Sequence, residues 1–248
     1  MSTLQLNCDL GESFGAWTMG LDADVMPFID QANVATGFHA GDPQVMQRTL
    51  GMAREHGVTV GAHPAYPDRV GFGRRSMACS EDELIADLHY QIAALDGMAK
   101  TARVELAYVK PHGALYNDMM AREDVRAAVL SALASYYRPL ALMLQATPSM
   151  DAHRTEAEQR GIRVWFEAFA DRCYDDDGRL LSRRLPGAVH SKEKMLAQVQ
   201  QLCESGTVTT VSGNTLPLAA DTLCVHGDNA DGVAAIRDVR DLVQRHAA

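Results

Sequence analysis

The feature that most constrains this chain is an alternation repeated about seven times: a short apolar strand, a polar loop at its end, then a helix. The strands read as residues 4–8, 32–35, 58–62, 106–109, 139–144, 162–166 and 222–225. Short strands without polar alternation are what a parallel sheet buried on both faces requires. The helices between them carry their own punctuation. Asp42-Pro43 supplies a cap and a first-position proline, and Gly57 closes that helix. Ser80 to Glu83 is a capping box ahead of an apolar stripe of Leu84, Leu88, Ile92, Leu95 and Ala99. Further helices are expected from near Ala121 through residues 123–135, over 150–160, over 192–204 and at the C-terminus, with a hairpin insertion at residues 207–218.

Alternating strands and helices point to an α/β fold, either a (β/α) barrel or a doubly wound sheet. The barrel is favoured because chemistry-bearing residues end nearly every strand. A barrel brings all those ends to one mouth, whereas an open sheet concentrates them at a switch point. No repeat or linker divides the sequence, so residues 1–248 are expected to form one catalytic barrel domain.

Composition narrows the partners. With 248 residues and a net charge of −9, the chain lacks the basic footprint of a nucleic-acid or anionic-membrane binder. No apolar run reaches the roughly 18 residues of a membrane span, and the N-terminus lacks a basic segment followed by a long apolar one. Five scattered cysteines without a C-x-x-C pair read as reduced thiols. A cytoplasmic protein is expected.

The strand ends offer Asp9 and Glu12, His39 and Asp42, His63 and Asp68, Lys110 and His112, Glu167 and Asp171, then His226 and Asp228. Val109-Lys110-Pro111-His112-Gly113-Ala114-Leu115-Tyr116-Asn117 is the densest stretch, placing a cation, an imidazole, a phenol and an amide where a strand gives way to a loop. A single His or Asp in a loop is more often a cap or a solvated residue, and Asp42 and Asp228 both read well as helix caps. Five of the nine histidines at or near strand ends (39, 63, 112, 190 and 226) are harder to dismiss.

Two chemical uses fit. Asp9, His39 and His63 could hold a divalent metal that activates water. Alternatively the carboxylates and histidines work as acids and bases without metal, with Lys110 facing an anion or oxyanion. Arg74, in a Gly- and Arg-rich loop, offers a fork for a substrate carboxylate or phosphate, although surface arginines are commonly only solvated. No G-x-x-x-x-G-K-[ST] motif occurs and no G-x-G-x-x-G follows a strand, so any ATP is bound by other means.

Taken together, Asn7-Cys8-Asp9-Leu10-Gly11-Glu12, Gly37-Phe38-His39-Ala40-Gly41-Asp42, Gly61-Ala62-His63-Pro64, Lys110-Pro111-His112-Gly113-Ala114-Leu115-Tyr116-Asn117, Glu167-Ala168-Phe169-Ala170-Asp171-Arg172 and Val225-His226-Gly227-Asp228 resemble the LamB/YcsF family from first strand to last. The resemblance implies an irregular seven-stranded, TIM-like (β/α) barrel related to glycoside hydrolase and deacetylase barrels. It also implies an ATP-dependent 5-oxoprolinase, which opens 5-oxo-L-proline to L-glutamate together with partner subunits B and C. Carried onto this chain, Asp9, Glu12, His63, Lys110, His112 and His226 become catalytic candidates. His39, Tyr116, Asn117, Glu167, Asp171 and Arg74 become substrate-binding candidates. A stand-alone metal-dependent deacetylase or amidohydrolase, and a non-catalytic binding subunit, remain as alternatives.

Overall fold

In the computed structural model, which describes residues 4–183, 185–227 and 230–247, seven parallel strands close into a barrel. In chain order the elements are β1 (Gln5–Leu10), α1 (Asp22–Val25), a 3-10 turn (Met26–Phe28), β2 (Gln31–Ala35), α2 (Pro43–His56), β3 (Thr59–His63), α3 (Glu81–Ala102), β4 (Leu106–Val109), α4 (Gly113–Ala121), α5 (Glu123–Ser135), β5 (Ala141–Gln145), α6 (Met150–Glu158), β6 (Val164–Phe169), α7 (Lys192–Ser205), the antiparallel hairpin β7 (Thr207–Thr209) and β8 (Thr215–Pro217), β9 (Thr222–Val225) and α8 (Ala230–Ala247). The barrel runs β1 to β6 and closes through β9, which pairs with both β6 and β1. No helix among the described residues is long and apolar enough to cross a membrane.

The caps expected from sequence form. Asp42 accepts from the Gln44 and Val45 amides at 2.8 and 2.9 Å, and also holds the Gly15 amide of the first loop at 2.8 Å. Ser80 and Glu83 make the reciprocal capping box. Asp228 lies outside the described residues.

Two expectations change. The stretch after Lys110-Pro111-His112 is helical from Gly113 onward rather than a loop as far as Ala121. Ala114, Leu115, Tyr116 and Met119 supply a buried face at helical spacing, so packing overrides the Pro-x-Gly punctuation. The strands, secondly, do alternate. In β1, Leu6, Cys8 and Leu10 join the apolar layer under the helices, while Asn7 and Asp9 take the other face. Asn33 in β2 and Thr222 in β9 face the same barrel interior, where the polar groups satisfy one another. Thr222 Oγ1 donates to Gln31 Oε1 at 2.6 Å, Asn7 Nδ2 to Thr222 Oγ1 at 3.1 Å, and Asn33 Nδ2 to Asn7 Oδ1 at 2.8 Å. Elsewhere Tyr108, Ala141 and Met143 form an apolar cluster with Trp165.

Tyr108 can cross the barrel only because β3 has no side chain at Gly61. A Cβ there would stand 2.1 Å from the phenol ring. The ring fills that space and its hydroxyl donates to Asn33 Oδ1 at 2.7 Å.

Candidate functional site

At the C-terminal ends of the barrel strands, side chains from six strand ends and the loops that follow them meet. Lys110, one residue past β4, is buried, and its Nζ lies 3.1 Å from Asp9 Oδ1 and 3.0 Å from Glu167 Oε2. Nζ also reaches Asn7 Oδ1 at 3.2 Å and Cys224 Sγ at 3.3 Å. Burial opposes the charge on Lys110, but the Asp9 and Glu167 carboxylates outweigh it and hold the ammonium protonated well above its usual range. Asp9 mirrors this. Burial would raise its pKa, but His63 and Lys110 keep it well below the ordinary carboxylate value. Asn33 Nδ2 donates to Asp9 Oδ1 at 2.8 Å, so the polar network inside the barrel ends on this carboxylate.

On one side of Asp9 sit three imidazoles. His63 Nε2 is 3.3 Å from Asp9 Oδ2 and 3.0 Å from His112 Nδ1. The His39 ring stacks on His112 with centroids 3.8 Å apart, and Glu12 Oε1 is 3.0 Å from His39 Nε2. Burial first, then neighbouring imidazoles, push the pKa values of His39 and His112 well down, so both rings are neutral. One nitrogen or oxygen from each of Glu12, His39, His63 and His112 falls within 4.8 Å of all the others, a donor set that could hold a metal. That set shares His39 and His63 with the trio expected from sequence. Asp9 instead turns its Oδ1 to Lys110.

On another side, His226 Nδ1 pairs with Asp171 at 3.1 Å to either oxygen. Burial would lower the His226 pKa, but Asp171 more than offsets it and the net direction is upward. Burial likewise opposes ionisation of Asp171, yet His226 draws it down to about 2. The charge on His226 bears on Asp9 as well, so this pair belongs to the same mouth. The exposed Arg183 brings a guanidinium nitrogen to 3.2 Å from His226 Nε2.

The remaining expected residues lie around this centre. Tyr116 is buried on α4, its phenol pushed well up by burial and then by the neighbouring Glu167 carboxylate. Arg74 is exposed at the rim, its guanidinium 5.4 Å from the Phe72 ring centroid. Asn117, also on α4, is exposed. Asp68 pairs with Arg75, which holds its pKa near 2, and serves its own loop by capping the Gly71 amide at 2.9 Å. His190 meets Gln198 Oε1 at 3.2 Å, and its backbone amide donates to the Asp171 carbonyl at 2.8 Å.

Sequence reasoning overlooked Asn7, Asn33 and Tyr108, although the i, i+2 spacing of Asn7 and Asp9 was a readable signal. It also overlooked the Phe72 carbonyl, which receives His112 Nε2 at 2.9 Å.

The LamB/YcsF family model matches residues 4–248. The chain is 58% identical to a Pseudomonas putida protein named as a 5-oxoprolinase A subunit, covering 97% of this chain and 93% of that one. It is 55% identical to the 5-oxoprolinase A subunit of Pseudomonas fluorescens strain Pf0-1 over the full length of both. Among solved structures, the lactam utilization protein of Thermus thermophilus superposes with a TM-score of 0.91 at 37% identity, covering 100% of this chain and 98% of that one. By sequence and by barrel, the chain belongs to the LamB/YcsF family.

Proposed function

We propose that this chain is the A subunit of a 5-oxoprolinase, working in the cytosol with subunits B and C to open 5-oxo-L-proline to L-glutamate at the expense of ATP. The observation that carries the reading is full-length identity above one half to proteins bearing that name. The mouth of the barrel supports it, because a lactam needs an electrophile at oxygen, a water and a proton donor at nitrogen.

In this reading subunits B and C transfer the γ-phosphoryl group of ATP to the lactam oxygen. Lys110 then faces the phosphorylated lactam oxygen and its phosphoryl charge. Asp9 accepts a hydrogen bond from the attacking water and takes its proton as the bond to the carbonyl carbon forms. When the phosphoryl group on that oxygen draws Lys110 toward itself, the hold of Lys110 on Asp9 weakens and the carboxylate becomes a stronger base. The added hydroxyl then loses its proton to solvent and closes to a carbonyl as the C–N bond breaks, the electron pair going to nitrogen, which takes a proton from His226. Asp171 stabilises the charged imidazole before that transfer. The acyl phosphate left behind is hydrolysed by a second water to glutamate and phosphate. Glu167 and Tyr116 border the ring, while Arg74 and Asn117 meet the substrate or a partner at the rim.

Mixing the chain with subunits B and C and following glutamate from 5-oxoproline tests the reading. Glutamate should appear only when ATP and all three subunits are present. A second reading, a metal-dependent amidohydrolase acting alone, draws on the three-histidine cluster beside Asp9. It predicts lactam or amide hydrolysis by this chain without ATP.

A further inference from the structure

Two backbone carbonyls dictate which nitrogens of His63 and His112 carry hydrogen. His63 Nδ1 lies 2.7 Å from the Lys110 carbonyl oxygen, and His112 Nε2 lies 2.9 Å from that of Phe72. A carbonyl oxygen only accepts, so each of these nitrogens is a donor. In a neutral imidazole the other nitrogen is then a bare lone pair. Those two lone pairs, His63 Nε2 and His112 Nδ1, face one another at 3.0 Å. Neither can donate to the other. With Asp9 Oδ2 3.3 Å from the same His63 nitrogen, acceptors converge there and only a positive charge, a proton or a metal ion, holds them together.

The surroundings fit a metal ion. Glu12 Oε1 is 3.6 Å from His112 Nδ1 and 3.0 Å from His39 Nε2. Ligands about 2.0–2.1 Å from a tetrahedral ion stand about 3.3 Å apart, and the observed separations of 3.0 and 3.6 Å bracket that spacing. His39 stacks flat on His112, so its Nε2 must swing to share an ion with that ring. Its Nδ1 is buried and has no hydrogen-bond partner among the described residues, so no hydrogen bond at that nitrogen opposes the swing.

The backbone is bent to support the arrangement. Phe72 has φ 54° and Gly73 φ 63°, so a bulky residue holds a left-handed conformation that side chains rarely adopt. This conformation aims the Phe72 carbonyl at His112. A Cβ at Gly73 would sit 2.8 Å from the His39 Cβ and 2.9 Å from His112 Cδ2. The Gly73 carbonyl in turn accepts from the Ala114 amide at 2.8 Å, joining this loop to the start of α4.

We propose that Glu12, His39, His63 and His112 bind one divalent transition-metal ion of the zinc–cobalt class, His63 through Nε2 and His112 through Nδ1. Three imidazoles and one carboxylate favour such ions over magnesium or calcium, which take mainly oxygen ligands. The two backbone carbonyls are the outer partners that orient the rings. The inference stands apart from the 5-oxoprolinase reading, because binding is measured without ATP, lactam or partner subunits.

The test strips the full chain with chelator, adds one equivalent of Zn²⁺ or Co²⁺, desalts, and measures retained metal. One equivalent should stay bound, and the cobalt form should show the intense visible absorption of four-coordinate cobalt. His63→Gln and His112→Gln should lose the metal. Glu12→Gln, a near-isosteric change at a half-buried position, should fold normally by circular dichroism and bind at least about tenfold more weakly. His246→Gln, remote from the cluster, should bind like wild type. No retained metal in the wild-type chain would overturn the proposal by leaving a shared proton as the charge between the rings. Wild-type retention by the Glu12, His63 and His112 variants would overturn it equally.

Discussion

Lys110 Nζ lies 3.0 Å from Glu167 Oε2, and both side chains are shielded from solvent. The same ammonium is 3.1 Å from Asp9, so one cation serves two carboxylates at the top of the barrel. Charges buried this way are retained at a cost in desolvation, and removing one partner strands the others. The network beneath, from Gln31 through Thr222, Asn7 and Asn33 to Asp9, leaves the carboxylate little freedom to turn.

Replacing Lys110 by Met therefore acts twice. It leaves Asp9 and Glu167 without their shared cation, and stability should fall by about 3–5 kcal/mol at pH 7. Urea denaturation followed by circular dichroism reads that loss. In the reconstituted complex kcat should fall by about 10²–10³-fold, the usual effect of losing an oxyanion donor. Near wild-type turnover in a folded Lys110→Met variant would remove Lys110 from the oxygen.

Tyr108→Phe tests the network one step back from the chemistry. The phenol donates to Asn33 Oδ1, which fixes the amide so that Asn33 Nδ2 points at Asn7 and Asp9. Without it a buried acceptor is left unpaired, at a cost of about 1–3 kcal/mol. Asp9 loses orientation but remains present, so kcat should fall by roughly threefold to tenfold with KM nearly unchanged. A change confined to KM would place Tyr108 in substrate binding instead.

The strand ends were legible because polar residues follow apolar runs there, and Lys110, His112, His63 and Asp9 do converge. The barrel interior was less legible. Asn7 and Asn33 sit among apolar neighbours, and their polarity makes sense only once β1 and β2 are registered side by side with Asp9 opposite Asn33. Helix α4 was hidden by Pro111 and Gly113, which punctuate a sequence whose next residues pack as a helix. The role of Phe72 had no sequence signal, since its backbone carbonyl makes the hydrogen bond while its ring only packs edge-on against His112 and His39.

The Asp171–His226 pair should leave a mark on stability against pH. His226 has a folded pKa above its ordinary 6.5. Its contribution is complete below the unfolded value and is lost as pH rises through the folded one. Asp171 runs the other way. Held near 2 in the fold, it contributes above the ordinary carboxylate value and loses that contribution as pH falls toward 2. Buried neutral His39 and His112 disfavour acid in both proteins, so the comparison with His226→Asn isolates the pair. The melting temperature of wild type should exceed that of His226→Asn most near pH 6, with the gap narrowing toward pH 9. A constant gap would show that the imidazole is not charged in the fold.

Gly61→Ala should damage the fold from inside the barrel. The new methyl would lie 2.1 Å from Tyr108 Cε2 and 2.3 Å from Cζ, contacts that no rotamer of a ring packed against Trp165 relieves cheaply. The ring must move, which also breaks its hydrogen bond to Asn33. Overpacking of this kind costs about 1–3 kcal/mol, and losing that hydrogen bond adds to it. Tyr108→Leu removes the clashing atoms, so the double variant should be more stable than the sum of the two single losses by at least about 1 kcal/mol. Urea midpoints of wild type, both single variants and the double variant complete the cycle. Strict additivity would mean that Gly61 is needed for its backbone rather than for the space the tyrosine occupies.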